Sequence, residues 1–288
     1  MENKRKIILY PNAERDIGFE MTRQVAEMLV KRGRQIAFCP MFDDYIKIGK
    51  TEFETKDLLD ELPNAELIIT FGGDGTILRA ARAAADFGVP ILGVNLGGKG
   101  FLAELETDEM SLLENIADGN YKIDKRMMLD IVIVRNGETL YSDFALNDVV
   151  IRGDNKVVDL IVLGDGEKIT HFSGDGAVIA TPTGSTAYSM SAGGPIVEEA
   201  ADNIIVTPIC AHELMAKSFV LISDRKVSVE LGHRKHNPAH ISVDGGDYHA
   251  VINGDIINVF KSEKCTRLVR LSNRSFYKKV SEKLGERP

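Results

Sequence analysis

Leu67-Ile-Ile-Thr-Phe-Gly-Gly-Asp-Gly-Thr-Ile-Leu-Arg79 is the most informative stretch of the sequence. Its apolar start, residues 67–70, predicts a buried strand, and the residues after the glycines predict a helix. Gly72, Gly73 and Gly75 have no Cβ, so a phosphate can approach the backbone and meet the positive end of that helix. A strand, a glycine-rich turn and a helix in this order predict a phosphate site in an α/β domain.

Asp74 is the acidic residue within this turn. A carboxylate inside a phosphate site repels the ligand, which suggests that Asp74 has a chemical role. It could bind Mg²⁺ or accept a proton from an attacking hydroxyl group. Asp is also a preferred residue at helix N-caps. The sequence leaves both interpretations open.

The alternation of strand and helix continues on both sides of the turn. Residues 6–10 and 35–39 are apolar runs typical of strands, and residues 19–32 have the periodicity of an amphipathic helix. Downstream, residues 76–87 predict an alanine-rich helix and residues 91–94 predict another strand. Because each strand–helix–strand unit implies a right-handed crossover, we predict an α/β domain with a parallel, Rossmann-like sheet.

The hydrophobic period changes from 3.6 to 2 near residue 120. A short helix, capped by Thr107 and ending near residue 117, is predicted just before this change. Most of the second half consists of strand candidates separated by Gly, Asp and Asn turns. These candidates are residues 129–134, 144–151, 157–163, 226–231 and 256–260. Residues 184–199 are the exception and are predicted to be helical.

These patterns predict two domains, in agreement with the length of 288 residues and the usual size of about 150 residues per domain. The α/β domain covers residues 1–120, and a mostly β domain covers residues 121–271. A final amphipathic segment within residues 272–288 is predicted to pack back on the first domain.

The composition excludes several classes of protein. Hydrophobic residues make up 44% and charged residues 27% of the chain, as in folded, water-soluble proteins. The net charge of −8 opposes general attraction to nucleic acid or anionic lipid, so we expect neither as a partner. There is no apolar run of about 18 residues and no signal-peptide pattern at the start. Three widely separated cysteines favour a reducing cytoplasm as the location.

A second candidate region is rich in hydroxyl groups. Residues 172–188 read Phe-Ser-Gly-Asp-Gly-Ala-Val-Ile-Ala-Thr-Pro-Thr-Gly-Ser-Thr-Ala-Tyr, and Ser191-Ala-Gly-Gly-Pro195 follows. Short donors and acceptors of this kind suit a ribose, a pyrophosphate or the edge of a base. They belong to Thr181, Thr183, Ser185, Thr186 and Tyr188. Ser and Thr also favour turns without any ligand, so this stretch alone does not decide between the two.

Asn147 and Asp148 form a polar pair within an apolar run that is predicted to be a strand. Burying each of them without a partner would cost about 1–3 kcal/mol, so partners are expected. The partner is either a neighbouring turn or a ligand that offers both donors and acceptors.

Three well-known motifs are incomplete. Residues 93–100 have the spacing of a P-loop through Lys99, but Gly100 stands where Ser or Thr would bind Mg²⁺. Residues 212–216 begin like a zinc-protease helix, yet Ala216 replaces the second histidine. No G-x-G-x-x-G follows a predicted strand, which argues against an ordinary dinucleotide-dependent dehydrogenase.

Taken together, the motifs resemble those of the NAD kinase family. Gly-Gly-Asp-Gly-Thr at residues 72–76, Asn-Asp at residues 147–148, and the hydroxyl-rich block at residues 181–195 occur in the family's order. The first motif is also similar to turns of diacylglycerol kinases, sphingolipid kinases and phosphofructokinases, whereas residues 181–195 are specific. Asn95-Leu-Gly-Gly-Lys-Gly-Phe-Leu102 also matches the family pattern and accounts for the incomplete P-loop.

The resemblance implies an α/β N-terminal domain, a sandwich-like β domain and a dinucleotide bound between them. Asp74 would orient the 2′-hydroxyl of the adenosine ribose of NAD⁺ or act as its general base. Gly72, Gly73, Gly75 and Thr76 would bind ATP together with its Mg²⁺. The implied metal therefore comes with ATP, and no dedicated metal ligand is predicted.

The resemblance also assigns the dinucleotide pocket and an assembly. Asn147 and Asp148 would hold the adenine and ribose of NAD⁺. The rest of the pocket would be lined by Asp175, Thr183, Thr186, Ala187 and Tyr188. Members of the family are generally oligomeric and commonly tetrameric, so a homo-oligomer is expected.

Two places depart from the family pattern. Ser173 stands where relatives often have a basic or amide-bearing residue, which bears on the use of NADH and of polyphosphate. Ala211-His-Glu and Lys217-Ser218 replace other family elements. His212 is therefore left off the catalytic set, as either a structural histidine or a ligand contact.

Four further residues receive ordinary structural interpretations. Asp244 precedes Gly245, and Asp-Gly between strands is typical of a hairpin turn. His233, His236 and His240 lie in a polar segment and are predicted to be solvated.

The predicted function is that of an ATP-dependent NAD kinase, which converts NAD⁺ and ATP to NADP⁺ and ADP. One alternative is a lipid kinase with the same glycine turn. It is disfavoured because no basic amphipathic stretch suggests membrane docking and the net charge is negative. The other is a dinucleotide-binding sensor without turnover, against which the intact turn around Asp74 argues.

Overall fold

The computed structural model describes residues 5–41, 54–98, 100–213, 216–232, 238–272 and 274–285. The chain divides into two units. The first comprises Met1–Lys125 and Thr266–Pro288, and the second comprises Arg126–Cys265. The sequence predicted that the domains divide after residues 120 and 271. In the structure the units divide after residues 125 and 265.

The described residues form the following strands: β1 (Lys6–Pro11), β2 (Ile36–Phe38), β3 (Ala65–Gly72), β4 (Ile91–Asn95), β5 (Lys122–Arg135), β6 (Glu138–Ala145), β7 (Asp148–Gly153), β8 (Val158–Gly164), β9 (Glu167–Gly174), β10 (Gly176–Ala180), β11 (Asn203–Ile209), β12 (Phe219–Ile222), β13 (Val227–Leu231), β14 (Ala239–Val243), β15 (His249–Val251) and β16 (Asp255–Arg270). The α-helices are α1 (Glu20–Lys31), α2 (Leu58–Glu61), α3 (Asp74–Ala84), α4 (Glu114–Ala117), α5 (Tyr188–Ser191) and α6 (Phe276–Leu284). Among the described residues, no helix has the length and apolar character needed to cross a membrane.

The sheet of the first unit is parallel, in the order β2-β1-β3-β4. Leu268 of β16 adds a parallel contact to Ile91 of β4. All residues of β3 except Glu66 are buried, as expected for a central parallel strand that is covered on both faces. Helix α1 contributes Val25 and Leu29 to the buried cluster of this unit.

The helix predicted over residues 107–117 has a different form. A 3-10 helix over Thr107–Leu113 leads into α4. Glu106, rather than the predicted Thr107, caps it, and its side chain forms a capping box with Glu109. A Glu at the cap is less common than Thr, which is why sequence preference alone selected the wrong residue.

The second unit contains two sheets. One has the order β12-β11-β10-β7-β14-β15, and in the other β13 pairs antiparallel with both β8 and β16. A single buried cluster includes Ile151 and Val206 from the first sheet and Val162 and Val259 from the second. Two sheets that share one core form a sandwich. The fold prediction, an α/β unit followed by a mostly β unit, is confirmed.

Two predicted elements of the second unit are wrong. Residues 144–151 are not one strand, because the chain leaves β6 after Ala145 and enters β7 at Asp148. Residues 184–199 are not one helix: only a 3-10 turn over Gly184–Thr186 and the four-residue α5 are helical. Gly193 has a φ of +86°, which ends the helix in the left-handed region.

Glu104 holds the last part of the chain within the first unit. Its Oε1 accepts hydrogen bonds from the N–H groups of Leu271 (2.9 Å) and Ser272 (2.7 Å). Its Oε2 accepts from Nη1 of Arg270 at 3.1 Å. Glu104 is only 7% exposed, so these contacts are shielded from water.

The variant Glu104→Ala leaves the guanidinium of Arg270 and the N–H groups of Leu271 and Ser272 without their buried acceptor. We expect the free energy of unfolding to fall by about 3–5 kcal/mol, as when one partner of a buried ion pair is removed. Urea denaturation followed by circular dichroism measures it. Glu114→Ala, which removes an exposed ion pair with Arg32, is the matched control and should lower it by about 1 kcal/mol or less. Equal losses in both variants would contradict the role of Glu104.

Candidate functional site

The carboxylate of Asp74 is held by backbone N–H groups from another segment of the first unit. Its Oδ2 accepts from the N–H of Phe101 at 2.7 Å, and its Oδ1 accepts from the N–H of Leu102 at 3.1 Å. Helix α3 begins at Asp74, its N-cap is Gly73, and no side chain caps it. The interpretation of Asp74 as a helix cap is therefore wrong.

Gly72 is a glycine for a different reason than Gly73 and Gly75. A Cβ on Gly72 would lie 2.3 Å from Oγ1 of the buried Thr76, so Gly72 is required by packing. A Cβ on Gly73 or Gly75 would meet nothing within 4 Å. Gly73 and Gly75 thus leave open space at the start of α3. The N–H of Thr76 donates to the carbonyl of Gly73 at 3.0 Å, so the donors that face this space are the N–H groups before Thr76, which precede the first full turn of the helix. This space and these donors suit a phosphate.

Gly100 belongs to the same arrangement. A Cβ on Gly100 would lie 2.6 Å from Oδ1 of Asp74. The position that lacks the P-loop Ser or Thr is thus a glycine because the Asp74 carboxylate occupies the adjacent space. Lys99, the remaining P-loop residue, lies outside the described residues.

The second unit contains a cavity of about 310 Å³ on the face of its first sheet. Four residues of the predicted set line it: Asn147, Asp148, Ala187 and Tyr188. Seven further residues line it that were not in that set: Val150, Arg152, His240, Ser242, Asp244, Gly245 and Tyr248. Five of the eleven lining residues come from alternate positions of β7 and β14, which point to the same face of a sheet: Asp148, Val150, Arg152, His240 and Ser242.

Asp244 organises this pocket. Its carboxylate accepts hydrogen bonds from the N–H groups of Leu146 (2.8 Å), Asn147 (2.8 Å) and Asp148 (3.1 Å). Asp244 also has a φ of +48°, in agreement with the turn predicted from Asp-Gly. The turn prediction missed the role of the carboxylate, because its partners lie 96 to 98 residues earlier in the chain.

Burial, together with the smaller effect of the negative charge of Asp244, raises the pKa of Asp148 to about 7. A carboxyl group with this pKa is present in both protonation states near neutral pH. The protonated form can donate a hydrogen bond to a ligand, and the ionised form can only accept.

Several hydroxyl groups of residues 181–195 hold the loop itself. Oγ1 of Thr181 donates to the carbonyl of Leu146 at 2.6 Å and accepts from the N–H of Gly184. Oγ of Ser185 donates to the carbonyl of Pro182 at 2.7 Å. The hydroxyl groups of Thr181 and Ser185 therefore stabilise the turn, as the interpretation without a ligand predicts.

Thr183 and Thr186 lie in the same loop. Oγ1 of Thr183 accepts from Nη1 of the buried Arg126 at 3.3 Å, and Oγ1 of Thr186 donates to the carbonyl of Thr183 at 3.2 Å. Asp175 lies at the opposite end of β10, where its N–H donates to the carbonyl of Ile209. The ligand contacts of Thr183, Thr186 and Asp175 therefore stay predictions.

Three other residues of the sequence analysis are also placed. Ser173 is buried, and its Oγ donates to Oδ1 of Asp159 at 3.0 Å. His212 is exposed. His240 is not solvated as predicted, because it lies on β14 and lines the pocket with a side chain only 16% exposed. His233 and His236 lie outside the described residues.

The part of the chain that the structure describes offers few side chains that could bind a metal ion together. Within the described residues, no group of three or more His, Cys, Asp or Glu side chains is arranged to hold an ion. Mg²⁺ needs few protein ligands when a nucleotide supplies phosphate oxygens, since it keeps several waters and takes one or two carboxylates. Asp74 next to an open glycine turn fits a Mg²⁺ that arrives with a nucleotide.

An α/β unit with a carboxylate at an open glycine turn and a β unit with a polar pocket suit one class of protein, the phosphotransferases that move a phosphoryl group from a nucleotide to a small-molecule alcohol. Residues 7–121 match the family model of the ATP-NAD kinase N-terminal domain, and residues 146–271 match that of the ATP-NAD kinase C-terminal domain. The chain belongs to the NAD kinase family.

Curated relatives agree over nearly the full length. The NAD kinase of Ruminiclostridium cellulolyticum is 35% identical over 286 residues, which cover 98% of this chain and 99% of the relative. The NAD kinase of Natranaerobius thermophilus is 38% identical over 285 residues, covering 97% and 98%. The predicted activity, ATP-dependent phosphorylation of NAD⁺, is confirmed, and the lipid-kinase and sensor alternatives are set aside.

Two solved structures share the fold. The crystal structure of yeast NADH kinase complexed with NADH has a TM-score of 0.86 at 22% identity and covers 99% of this chain and 88% of its own. The NAD kinase of Archaeoglobus fulgidus in complex with ATP has a TM-score of 0.72 at 23% identity, covering 96% and 98%.

Gly100→Ala tests the packing around Asp74. The added Cβ would displace the carboxylate from its two N–H donors, so we expect kcat to fall by about tenfold or more while the chain stays folded. Gly98→Ala is the matched control, because a Cβ there meets nothing within 4 Å. Steady-state assays of NADP⁺ formation compare the two variants. Equal kcat values for both would show that Gly100 is not needed to place Asp74.

The raised pKa of Asp148 predicts a pH dependence of stability. The pKa of an Asp in the unfolded chain is about 3.9, so between there and about pH 7 the folded state binds a proton that the unfolded state releases. The contribution of the neutral carboxyl group is therefore complete below pH ~4 and lost as the pH rises through ~7. Asp148→Asn cannot ionise, so its advantage in unfolding free energy over the wild type should grow from pH 5 to pH 8. Parallel pH curves would contradict the raised pKa.

Proposed function

We propose that Asp74 orients the 2′-hydroxyl of the adenosine ribose of NAD⁺ for attack on the γ-phosphorus of ATP. The observation that supports this is the placement of its carboxylate. Two backbone N–H groups hold it at the first residue of α3, beside the open positions of Gly73 and Gly75. A carboxylate accepts about four hydrogen bonds, so the two from the protein leave capacity for a hydroxyl group.

In this reaction the 2′-oxygen forms a bond to the γ-phosphorus, and the bond to the leaving ADP breaks. A free Asp has a pKa of about 3.9 and is a weak base for an alcohol. A loose transition state requires mainly positioning, so a fixed carboxylate that accepts the hydroxyl hydrogen can serve. Asp74 therefore places the attacking oxygen and receives its proton as the bond to phosphorus forms.

We assign the phosphates of ATP to the turn from Gly72 to Thr76. The first-turn N–H groups of α3 and the open space at Gly73 and Gly75 support this assignment. Mg²⁺ bound to ATP supplies charge neutralisation on the phosphates. Thr76 is buried, with its hydroxyl directed to Gly72, so its contribution is to shape the turn.

We assign the adenine and ribose of NAD⁺ to the pocket of the second unit. Asn147 offers both a donor and an acceptor, Asp148 changes between donor and acceptor near neutral pH, and Tyr188 adds an aromatic face. Ala187 is small and lines the same cavity. Asp175, Thr183 and Thr186 complete the proposed set, with Thr183 held by Arg126.

We further propose a cytoplasmic homo-oligomer, a tetramer by family resemblance, that does not bind nucleic acid or membranes. All three cysteines are free, which suits a reducing compartment. The apolar side chains of Val220 and Ile222 are about half exposed on the edge strand β12, which is the kind of surface that a second copy covers.

Asp74→Asn tests the proposed role. The amide keeps the size of the side chain but loses one acceptor oxygen and the charge that attracts the hydroxyl proton. We expect kcat for NADP⁺ formation with ATP and Mg²⁺ to fall by about 100-fold or more, with the Kd of NAD⁺ nearly unchanged. Coupled assays measure turnover, and isothermal titration calorimetry measures NAD⁺ binding.

Asp108→Asn is the control, because Asp108 is an exposed carboxylate of the same unit. Circular dichroism should show the same fold for both variants and the wild type. If Asp74→Asn is as active as Asp108→Asn, Asp74 is not the orienting group.

A further inference from the structure

The pocket of the second unit has a second, cationic end. Arg152 on β7 lies opposite His240 on β14 in the strand register. Both line the same cavity as Asp148, and so does Tyr248. Asp148 and Arg152 lie on one face of β7, four residues apart, which is about 13 Å along a strand. The cavity therefore extends from a carboxylate end to a guanidinium end.

Arg152 is the unusual member of this end. Its side chain is exposed, and within the described parts of the chain it takes part in no ion pair or side-chain hydrogen bond. Other arginines of the same unit are paired, such as Arg135 with Asp255 and Arg225 with Asp165. A guanidinium that faces a cavity without a carboxylate partner keeps its planar set of donors available for a ligand.

Two aromatic side chains line the same end of the cavity as Arg152. Nδ1 of His240 hydrogen-bonds to Oδ1 of Asp154 at 2.6 Å, which leaves Nε2 as the ring nitrogen available to a ligand. The ring of Tyr248 lies against that of His240, with centroids 4.2 Å apart. This end of the cavity therefore combines two aromatic rings with the guanidinium of Arg152.

The charge of the whole chain bears on what can bind here. With a net charge of −8, the protein does not attract anions in general, so an anionic ligand needs local donors. Arg presents a planar fork that fits two oxygens of a phosphate at once. The distance of about 13 Å along β7 between Asp148 and Arg152 is similar to the length of an adenosine joined to its phosphates.

We propose that Arg152, with His240 beside it, forms a subsite for the diphosphate bridge of the dinucleotide. The inference rests on the proposed function, in which Asn147 and Asp148 hold the adenosine part of NAD⁺. Arg152 then contacts phosphate oxygens that do not react, so it contributes to binding of NAD⁺ rather than to the chemical step.

Arg152→Gln tests the subsite through the separation of KM from kcat. We expect KM for NAD⁺ to rise by about tenfold, as for the loss of a hydrogen bond to a charged group, with kcat within about twofold of the wild type. KM for ATP should not change. Arg152→Lys keeps the charge but not the fork and should lie between the two. The difference between wild type and Arg152→Gln should shrink from 50 mM to 500 mM KCl, since salt screens exposed charges.

Lys168→Gln is the matched control, because it removes one exposed positive charge from β9 of the same unit. It should leave both KM values unchanged. A KM for NAD⁺ within twofold of the wild type in Arg152→Gln would overturn the proposal. So would a rise in KM for ATP instead, which would assign the guanidinium to the nucleotide donor.

Calorimetry separates this inference from the proposed function. If the wild type binds NAD⁺ without turnover, the assigned chemistry fails, but the Kd of NAD⁺ still tests the subsite. A Kd about tenfold weaker in Arg152→Gln supports the subsite in that case, and an unchanged Kd overturns it.

Discussion

The pocket of the second unit depends on one carboxylate that satisfies three consecutive backbone N–H groups. Residues 146–148 form the passage from β6 to β7, where the strand ladder is interrupted. N–H groups that are buried at such a break must find another acceptor. Asp244 provides it for all three. This contact fixes the backbone at Asn147 and Asp148, and the charge of Asp244 adds to the burial that raises the pKa of Asp148. Gly184 must also be a glycine here, because a Cβ would lie 2.1 Å from the carbonyl oxygen of Asn147.

The first unit uses the same physical device for a different purpose. Two N–H groups hold the carboxylate of Asp74, in place of a second side chain. Backbone donors have few ways to move, so a carboxylate held by them has a fixed direction before any substrate binds. The two acids differ in what lies around them. Both carboxylate oxygens of Asp244 accept hydrogen bonds from the protein backbone, whereas Asp74 lies beside glycines that leave open space for a ligand.

The first unit could be predicted from the sequence because its signals are local. The apolar run of β3, the glycines and the helix after them lie within residues 67–79, and the structure forms β3 and α3 there. The motifs also led to the right family. The second unit contains the errors because its determinants are distant in sequence. The break between β6 and β7 needs Asp244, and the cationic end of the pocket needs β14 to lie beside β7. The helix predicted over residues 184–199 failed because hydroxyl groups such as Ser185 bond to the loop's own carbonyls.

The return of the chain to the first unit has a consequence for biosynthesis. Residues 266–288 complete a unit whose other part ends at residue 125, and all of the second unit is translated between them. A chain that emerges from the ribosome in order therefore finishes the β sandwich before the α/β unit has its last buried residues, among them Val269. During that interval the nascent α/β unit exposes apolar surface, which is the condition that chaperones recognise.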